Sequence, residues 1–194
     1  MATLHHTMRC AISTNAGATA DHALMPANGN RVPDDASTNF VVRGLRHGDR
    51  AAVRSLLLVG LAEHWGSADP SLNPDLDDLA VAYPGSRTFV AVDADGTIAG
   101  TATLVPREDG VAEVVRMSVT TRLRGGDVGR LVLDALTAVA LARGAERMVL
   151  ETTASWTATI AFYERCGFLL THYTDGRFGR ARWLRWRGGV VAML

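Results

Sequence analysis

Arginine and glycine residues cluster in one short segment, where the pattern of a strand gives way to the pattern of a helix. The segment reads Arg122-Leu-Arg-Gly-Gly-Asp-Val-Gly129. Its glycines let a bulky anion approach the backbone, and the first turn of a helix offers unpaired N–H groups and a partial positive charge. Neither the Gly-Lys-Ser/Thr of a P-loop nor the spacing of a dinucleotide-binding turn is present. Taken alone, the segment is as typical of a plain tight turn as of a phosphate site.

Further along the chain, a phenol and a thiol lie at the end of a helix pattern, in Ala161-Phe-Tyr-Glu-Arg-Cys-Gly-Phe168. A tyrosine with apolar neighbours, such as Tyr163, is typical of a core aromatic whose hydroxyl finds a local partner. Cys166 is interpreted as packing at the helix end. In the strand before the glycine-rich segment, Glu113 is interpreted as a solvated residue or an ion-pair partner of Arg116. These side chains can act together only if the fold brings them together.

The apolar pattern predicts a mixed α/β domain that begins near Phe40. Turn signals at Asp95-Gly96 and Asp109-Gly110 predict two hairpins. From Val114 to Leu150 the order strand, helix, strand predicts a right-handed crossover between parallel neighbours. The pattern places strands at 40–46, 88–92, 97–104, 112–119, 148–152, 168–173 and 181–186. It places helices at 50–63, 75–83, from 128 to Gly144, and at 155–165.

Composition narrows the class of protein. The 194-residue chain is 47% apolar and 21% charged, which is ordinary for a globular protein of one domain. Its 20 basic and 20 acidic residues cancel, so net charge favours neither nucleic acid nor an anionic membrane as a partner. No segment approaches the ~20 apolar residues of a membrane span. With only Cys10 and Cys166 available, no structural disulfide is expected, and a cytoplasmic location fits. No metal site is expected.

The two ends of the chain differ from its middle. Residues 1–39 mix small and polar side chains without an apolar run, and they predict a mostly disordered tail or an over-long start. The pair His5-His6 in this tail is not interpreted as a metal site. Residues 40–194 form the predicted domain. Its apolar end, Gly188–Leu194, is interpreted either as fraying or as a subunit contact in a homodimer.

Together the two motif segments resemble the signature of the GNAT superfamily of N-acetyltransferases. The turn Arg124-Gly-Gly-Asp-Val-Gly129 is similar to the family's acetyl-CoA motif, Arg/Gln-x-x-Gly-x-Gly/Ala, and Ala161–Phe168 resembles its helix ending Tyr-x-x-x-Gly-Phe. The order of elements from Phe40 to Trp186 also matches. The resemblance implies a GNAT fold, in which a central, mostly antiparallel sheet of six or seven strands has one parallel, splayed pair and is flanked by about four helices.

The resemblance also implies acetyl-CoA as the co-substrate. The backbone of Met117 and Val119 would pair with the pantetheine arm like an extra strand, and the amides from Arg124 to Arg130 would hold the pyrophosphate. The implied contacts with acetyl-CoA are Met117, Ser118, Val119, Arg124, Gly125, Gly126, Asp127, Val128, Gly129, Arg130 and Trp156.

Two of these positions depart from the family pattern. Asp127 stands where the family usually has its middle glycine. A carboxylate at a helix start can compete with a pyrophosphate for the same amides and repel its charge, unless it turns outward. Trp156 stands where an asparagine commonly contacts the cofactor. Ser155 or Thr157 could supply the missing hydrogen bond.

The resemblance also implies a catalytic role for several residues in acetyl transfer to an amine. A lysine-type amine has a pKa near ~10.4, so at neutral pH a base must take its proton before it attacks. Glu113 occupies the strand position where some family members carry this base, and Glu151 is the alternative. An amide near Met117 or Val119 would stabilise the negative oxygen that attack creates. Tyr163 would protonate the departing thiolate, in a direct transfer without an acyl-enzyme.

In this fold the first two helices and their loop form the acceptor site. The predicted acceptor-binding residues are His64, Trp65, Asp69 and Tyr83. Asp69 would attract a cationic amine together with Asp75, Asp77 and Asp78, while the aromatic rings would pack on its carbon skeleton. The alternative is that these aspartates serve only as turn residues and helix caps.

These features favour an acetyl-CoA-dependent N-acetyltransferase acting on a primary amine of a small molecule or amino acid. The alternative is a GNAT-fold module that binds or senses acetyl-CoA with weak or no transferase activity. A nucleotide- or phosphate-binding α/β enzyme of other chemistry would have a largely parallel sheet, and the two predicted hairpins argue against it.

Overall fold

A seven-stranded sheet forms the centre of the molecule, whose computed structural model describes residues 40–176 and 179–188. The strands are β1 (Val41–Gly44), β2 (Arg87–Val92), β3 (Ile98–Pro106), β4 (Val111–Val119), β5 (Arg147–Thr153), β6 (Phe168–Gly176) and β7 (Gly179–Trp186). Their order across the sheet is β1-β2-β3-β4-β5-β7-β6. Every neighbouring pair is antiparallel except β4 and β5, which are parallel. The predicted mixed α/β class, both hairpins and the crossover are confirmed.

Four α-helices flank this sheet: α1 (Arg50–Trp65), α2 (Leu79–Ala82), α3 (Val128–Ala142) and α4 (Thr157–Arg165). None of the helices in the described part of the chain is long and apolar enough to cross a bilayer. The residues predicted as a tail, with His5, His6 and Cys10, and the terminal segment from residue 189 lie outside the described residues.

The predicted second helix over 75–83 is wrong in extent. Residues Pro70–Leu72 and Pro74–Leu76 form single 3-10 turns, and the α-helix begins only at Leu79. Asp78 fixes that start, because its side chain accepts hydrogen bonds from the amides of Ala80 and Val81. The chain between α1 and α2 is therefore a series of capped turns.

Both faces of the sheet are buried. On one face, α1 and the α2 region cover a cluster that includes Val53, Leu57 and Val115. On the other face, α3 and α4 cover a larger cluster that includes Leu136 and Tyr163. Each central strand supplies apolar residues to both clusters, because successive side chains of a strand point to opposite faces.

A bulge interrupts β4 in front of the glycine-rich segment. Arg116 has a φ of 51°, and the register of β4 against β3 shifts between Thr101 and Thr103. The extra residue brings Met117 into the same buried cluster as Val114, although simple alternation would separate them. The bulge therefore aims Arg116 toward α1 and the α2 region, and Met117 toward α3 and α4.

Candidate active site

A gap opens between the two parallel strands. β4 pairs with β5 only from Val111 opposite Arg147 to Val114 opposite Leu150. Beyond this point β4 continues to Val119 and β5 continues to Thr153 without further pairing between them. The backbone of β4 after the bulge therefore borders an opening, into which a strand-like ligand could insert.

The glycine-rich turn follows directly at the end of β4. Gly125 has a φ of 81°, a conformation that other residue types adopt only with strain, and α3 begins at Val128. Gly129 is packed so closely that a Cβ atom there would lie 3.1 Å from Cζ of Phe162 and 3.5 Å from Cε of Met117. The first turn of α3 therefore lies directly against α4 and the bulged part of β4.

Cavities lie on both sides of this turn. One, of about 190 Å³, is lined by the backbone of residues 124–127 and by Arg130, Arg165 and Cys166. A second, of about 640 Å³, is lined by Phe40, Arg122, Arg130 and neighbouring residues of the turn. Several arginines and the amides at a helix start are the donors that a pyrophosphate requires, so the residues present fit such a group.

Arg124 has a structural partner on each side. Its Nε donates to the carbonyl oxygen of Val119 at 2.9 Å, and its Nη2 forms an ion pair with the carboxylate of Glu63 on α1. Thr121 also donates its hydroxyl hydrogen to Glu63. The guanidinium is only 4% exposed, so it ties the turn to α1 and to the end of β4.

Asp127 occupies the N-cap position of α3 but does not act as a cap. Its side chain makes no capping hydrogen bond, and the residue is exposed at the edge of both cavities. The amides at the start of α3 are therefore not covered by its carboxylate. The negative charge nevertheless lies on the surface that a pyrophosphate would approach.

Tyr163 lies in the core behind the gap. Its side chain is fully buried, and its hydroxyl donates to the sulfur of Met117 at 3.5 Å. Phe162 and Phe168 pack edge-on against its ring, with centroids 5.2 Å and 5.7 Å away. The phenol is thus held against the bulged residue of β4. Burial raises the pKa of the nearby Cys166 thiol, which fits packing rather than nucleophilic attack.

Glu113 is buried and forms an ion pair with Arg107, an arginine that the sequence analysis did not suggest. Its Oε2 accepts from Nε of Arg107 at 2.7 Å, and burial lowers the pKa of that arginine. On the strand, Glu113 lies opposite Val149, where β4 and β5 are still paired. The carboxylate therefore lies below the point at which the gap opens.

Arg116 instead anchors the chain between α1 and α2. Its Nε and Nη2 donate to the two carboxylate oxygens of Asp75, both at 2.6 Å, and its Nη1 donates to Asn73 at 3.1 Å. Tyr83 donates its hydroxyl hydrogen to the same carboxylate at 2.8 Å. The sequence reasoning missed this network, because no local pattern joins residues so far apart in the chain.

The predicted acidic cluster is largely neutralised. Asp77 pairs with Arg54, and Asp78 pairs with Arg50 while it caps α2. The side chain of Asp69 accepts from the amide of Ser71, and hydrogen bonding to Ser71 lowers its pKa. These contacts agree with the alternative that the aspartates serve as turn residues and helix caps. The aromatic residues are therefore the main remaining feature of the predicted acceptor region.

Aromatic rings from α1 and α4 meet at the mouth of the gap. The imidazole of His64 stacks on the ring of Trp156, with centroids 3.7 Å apart and planes within 17°. Trp65 packs against the same indole at 5.9 Å. Tyr83 lies elsewhere, buried beneath the turns before α2. The structure thus joins His64 and Trp65 to Trp156, which the sequence assigned to a different ligand.

Comparison with known proteins agrees with this geometry. Residues 51–168 match the model of the acetyltransferase (GNAT) family. The chain is 31% identical over 113 residues to an IAA acetyltransferase of Azospirillum brasilense, covering 58% of this chain and 74% of that one. It is 32% identical over 149 residues to the N-acetyltransferase YjgM of Escherichia coli K12, covering 72% and 87% respectively.

A solved structure of the same family has the same fold. A GNAT-family acetyltransferase of Staphylococcus aureus Mu50 superposes with a TM-score of 0.68 over 76% of this chain and 98% of that one, at 16% identity. The two proteins share the same fold, which agrees with the family match. The chain therefore belongs to the GNAT family and is an N-acetyltransferase.

Proposed function

We propose that the protein transfers the acetyl group of acetyl-CoA directly to a primary amine of a small molecule or amino acid. The observation that carries the proposal is the gap beside β4, which opens onto a glycine-rich turn with uncapped amides and several arginines. A pantetheine arm could follow the free edge of β4, with its pyrophosphate at the start of α3. Bound in this way, acetyl-CoA supplies the activated acyl group.

The residues around the gap suit the charges that develop during transfer. Amides of β4 near Met117 and Val119 are the proposed donors to the negative oxygen that forms when the amine attacks the thioester. Tyr163 is the proposed proton donor to the departing thiolate, because its hydroxyl contacts Met117 from the α4 side. Glu113 remains a proposed base, although its ion pair with Arg107 and its place below the gap give it less support.

The proposed acceptor is an amine with a compact apolar or aromatic body. Support comes from His64, Trp65 and Trp156, whose rings meet beside the gap. The aspartates between α1 and α2 contribute less than the sequence suggested, because arginines neutralise three of them. Of the relatives named above, the IAA acetyltransferase carries an acceptor in its name and YjgM carries none, so acceptor identity requires direct measurement.

Two measurements test this function. Calorimetry with acetyl-CoA is expected to give saturable binding, and a thiol-release assay over a panel of primary amines is expected to give turnover with at least one of them. Propionyl-CoA and free CoA serve as controls for the acyl group. Absence of acetyl-CoA binding at millimolar concentration would contradict the proposal.

The second candidate is a module that senses acetyl-CoA without transferring its acetyl group. The observation that favours it is the exposed carboxylate of Asp127 at the turn, together with Trp156 in place of a hydrogen-bonding residue. This candidate predicts binding in the calorimeter with no thiol release for any amine in the panel.

The charge of Asp127 is expected to weaken acetyl-CoA binding. Replacing it with asparagine keeps the shape of the side chain and removes the repulsion of the pyrophosphate. We expect Kd to fall several-fold, in line with about 0.3–1 kcal/mol for a charge at a helix start, and the gain to shrink as salt is raised. Asp109→Asn, the same chemical change at an exposed carboxylate in the hairpin before β4, is the matched control. An unchanged Kd at low salt would mean that the carboxylate does not face the phosphates.

A further inference from the structure

The ends of α1 and α4 touch although the two helices lie on opposite faces of the sheet. The residues of α1 pack in the cluster with Val115, and those of α4 pack in the cluster with Met117. Elements on opposite faces can meet where the sheet is open or beyond the ends of its strands. The stack of His64 on Trp156 lies just beyond the end of β5, where β5 is no longer paired with β4.

This end of the sheet carries the gap between β4 and β5. Glu63, next to His64, bonds to Thr121 and Arg124, which follow the end of β4. Trp156 follows the end of β5 and is the N-cap residue of α4. Each partner of the stack is thus attached to the end of one of the two diverging strands, and the stacked rings span the space between them.

One nitrogen of the His64 ring makes no hydrogen bond to the described residues. Its Nε2 is buried and has no hydrogen-bond partner among residues 40–176 and 179–188. Buried polar atoms without partners are rare in native proteins and require an explanation, of which a catalytic role is one. In the tautomer that carries its proton on Nδ1, Nε2 has a free lone pair and is a proton acceptor.

The surroundings of His64 hold its ring in the neutral form. Burial lowers the pKa of the imidazole, and the positive charge of Arg124 lowers it further, while Glu63 opposes them. These two are the charged groups that face the ring from α1 and from the turn after β4, and Trp156 covers it from α4 without charge. At neutral pH the ring is therefore unprotonated, which is the form that a base requires before it acts.

We propose that Nε2 of His64 takes the proton from the acceptor amine at this gap, and that Trp156 positions the ring. The inference rests on the proposed acetyl transfer. In this proposal, cofactor and acceptor enter where the rings now touch, displace the stack and bring Nε2 into contact with the amine. Glu113 is less suited, because Arg107 already neutralises it and it lies where the strands are paired.

The proposed step balances as follows. The ammonium form of the acceptor gives one proton to His64 Nε2 and becomes a neutral amine. Its nitrogen attacks the thioester carbonyl carbon, so that a C–N bond forms and the C–S bond breaks. The second proton leaves the nitrogen and reaches the thiolate through the hydroxyl of Tyr163, which ends unchanged. His64 then releases its proton to solvent, and the products are an amide and CoA thiol.

The test compares two acceptors of different basicity in His64→Gln. An alkyl amine is protonated at neutral pH and needs a base, whereas an aromatic amine is already neutral. We expect kcat/KM to fall about 10²-fold to 10⁴-fold for the alkyl amine, and far less for the aromatic amine. His172→Gln is the matched control, because His172 is exposed and stacks on Trp183. Equal losses for the two amines, or no loss for either, overturn the proposal.

The pH profile gives a second readout that does not need the glutamine variant to fold. In the unaltered protein, kcat/KM for the alkyl amine is expected to fall as pH drops through the lowered pKa of His64. Trp156→Ala uncovers the ring, so this acidic limb is expected to move to higher pH, while Trp156→Phe keeps it in place. If the acidic limb of the kcat/KM profile does not move in Trp156→Ala, the proposal is overturned. Calorimetry with acetyl-CoA distinguishes the two failures. Binding with an unmoved limb rejects only the role of His64, whereas absence of binding rejects the proposed function.

Discussion

Replacing Tyr163 with phenylalanine is expected to lower kcat by roughly 10²-fold to 10⁴-fold, the usual contribution of a positioned proton donor. Without the hydroxyl, the thiolate must leave without a protein proton. The affinity for acetyl-CoA is expected to change little, because the ring remains between Phe162 and Phe168. Steady-state thiol release gives kcat, and calorimetry gives the affinity.

The same chemical change at Tyr173 is the control for Tyr163→Phe. Tyr173 lies on β6, is 39% exposed and contacts the guanidinium of Arg180. Its replacement by phenylalanine is expected to leave turnover unaltered. Urea denaturation is a second control, because it shows whether loss of the hydroxyl, which donates to the sulfur of Met117 at 3.5 Å, alters stability. A fully active Tyr163→Phe enzyme would remove the phenol from the mechanism.

Replacing Asp75 with alanine is expected to lower the free energy of unfolding by about 3–5 kcal/mol, the usual effect of removing one partner of a buried ion pair. The side chain of Arg116 is 3% exposed and would lose its carboxylate partner, while its contact with the amide oxygen of Asn73 would remain. Tyr83 would also lose the acceptor for its hydroxyl. Urea denaturation followed by circular dichroism measures the change.

Asp77→Ala is the matched control for Asp75→Ala. Asp77 also pairs with an arginine, Arg54, but its side chain is 70% exposed, so the loss is expected to be about 0–1 kcal/mol. The double variant Asp75→Leu with Arg116→Met removes both charges and is expected to recover part of the stability. Equal urea midpoints for the two single variants would show that Arg116 does not depend on Asp75.

Elements governed by local sequence were predicted well. The hairpins follow from the Asp-Gly turns, and the crossover follows from a long amphipathic helix between two apolar strands. The second helix was overextended, because its apolar spacing resembled a helix while the side chain of Asp78 fixed a later start. Propensity gives the type of an element more reliably than its boundary, which capping contacts decide.

Contacts between distant parts of the chain could not be predicted in the same way. Arg116 and Asp75 are 41 positions apart, and Arg124 and Glu63 are 61 apart. Neither pair leaves a periodic pattern in the sequence, which offered Glu113 only as one possible partner of Arg116. The glycine-rich turn and the Tyr163 segment predicted the candidate site, whereas the contact of His64 with Trp156 became visible only in three dimensions.

The ion pair between Arg124 and Glu63 has a thermodynamic consequence. It joins the turn proposed for the pyrophosphate to the end of the helix that carries His64. If a bound phosphate draws the guanidinium toward itself, the bond to α1 weakens, and this ion pair then couples the two proposed substrate sites. Linkage then requires reciprocity. By whatever factor acetyl-CoA changes the affinity for the amine, the amine changes the affinity for acetyl-CoA by the same factor.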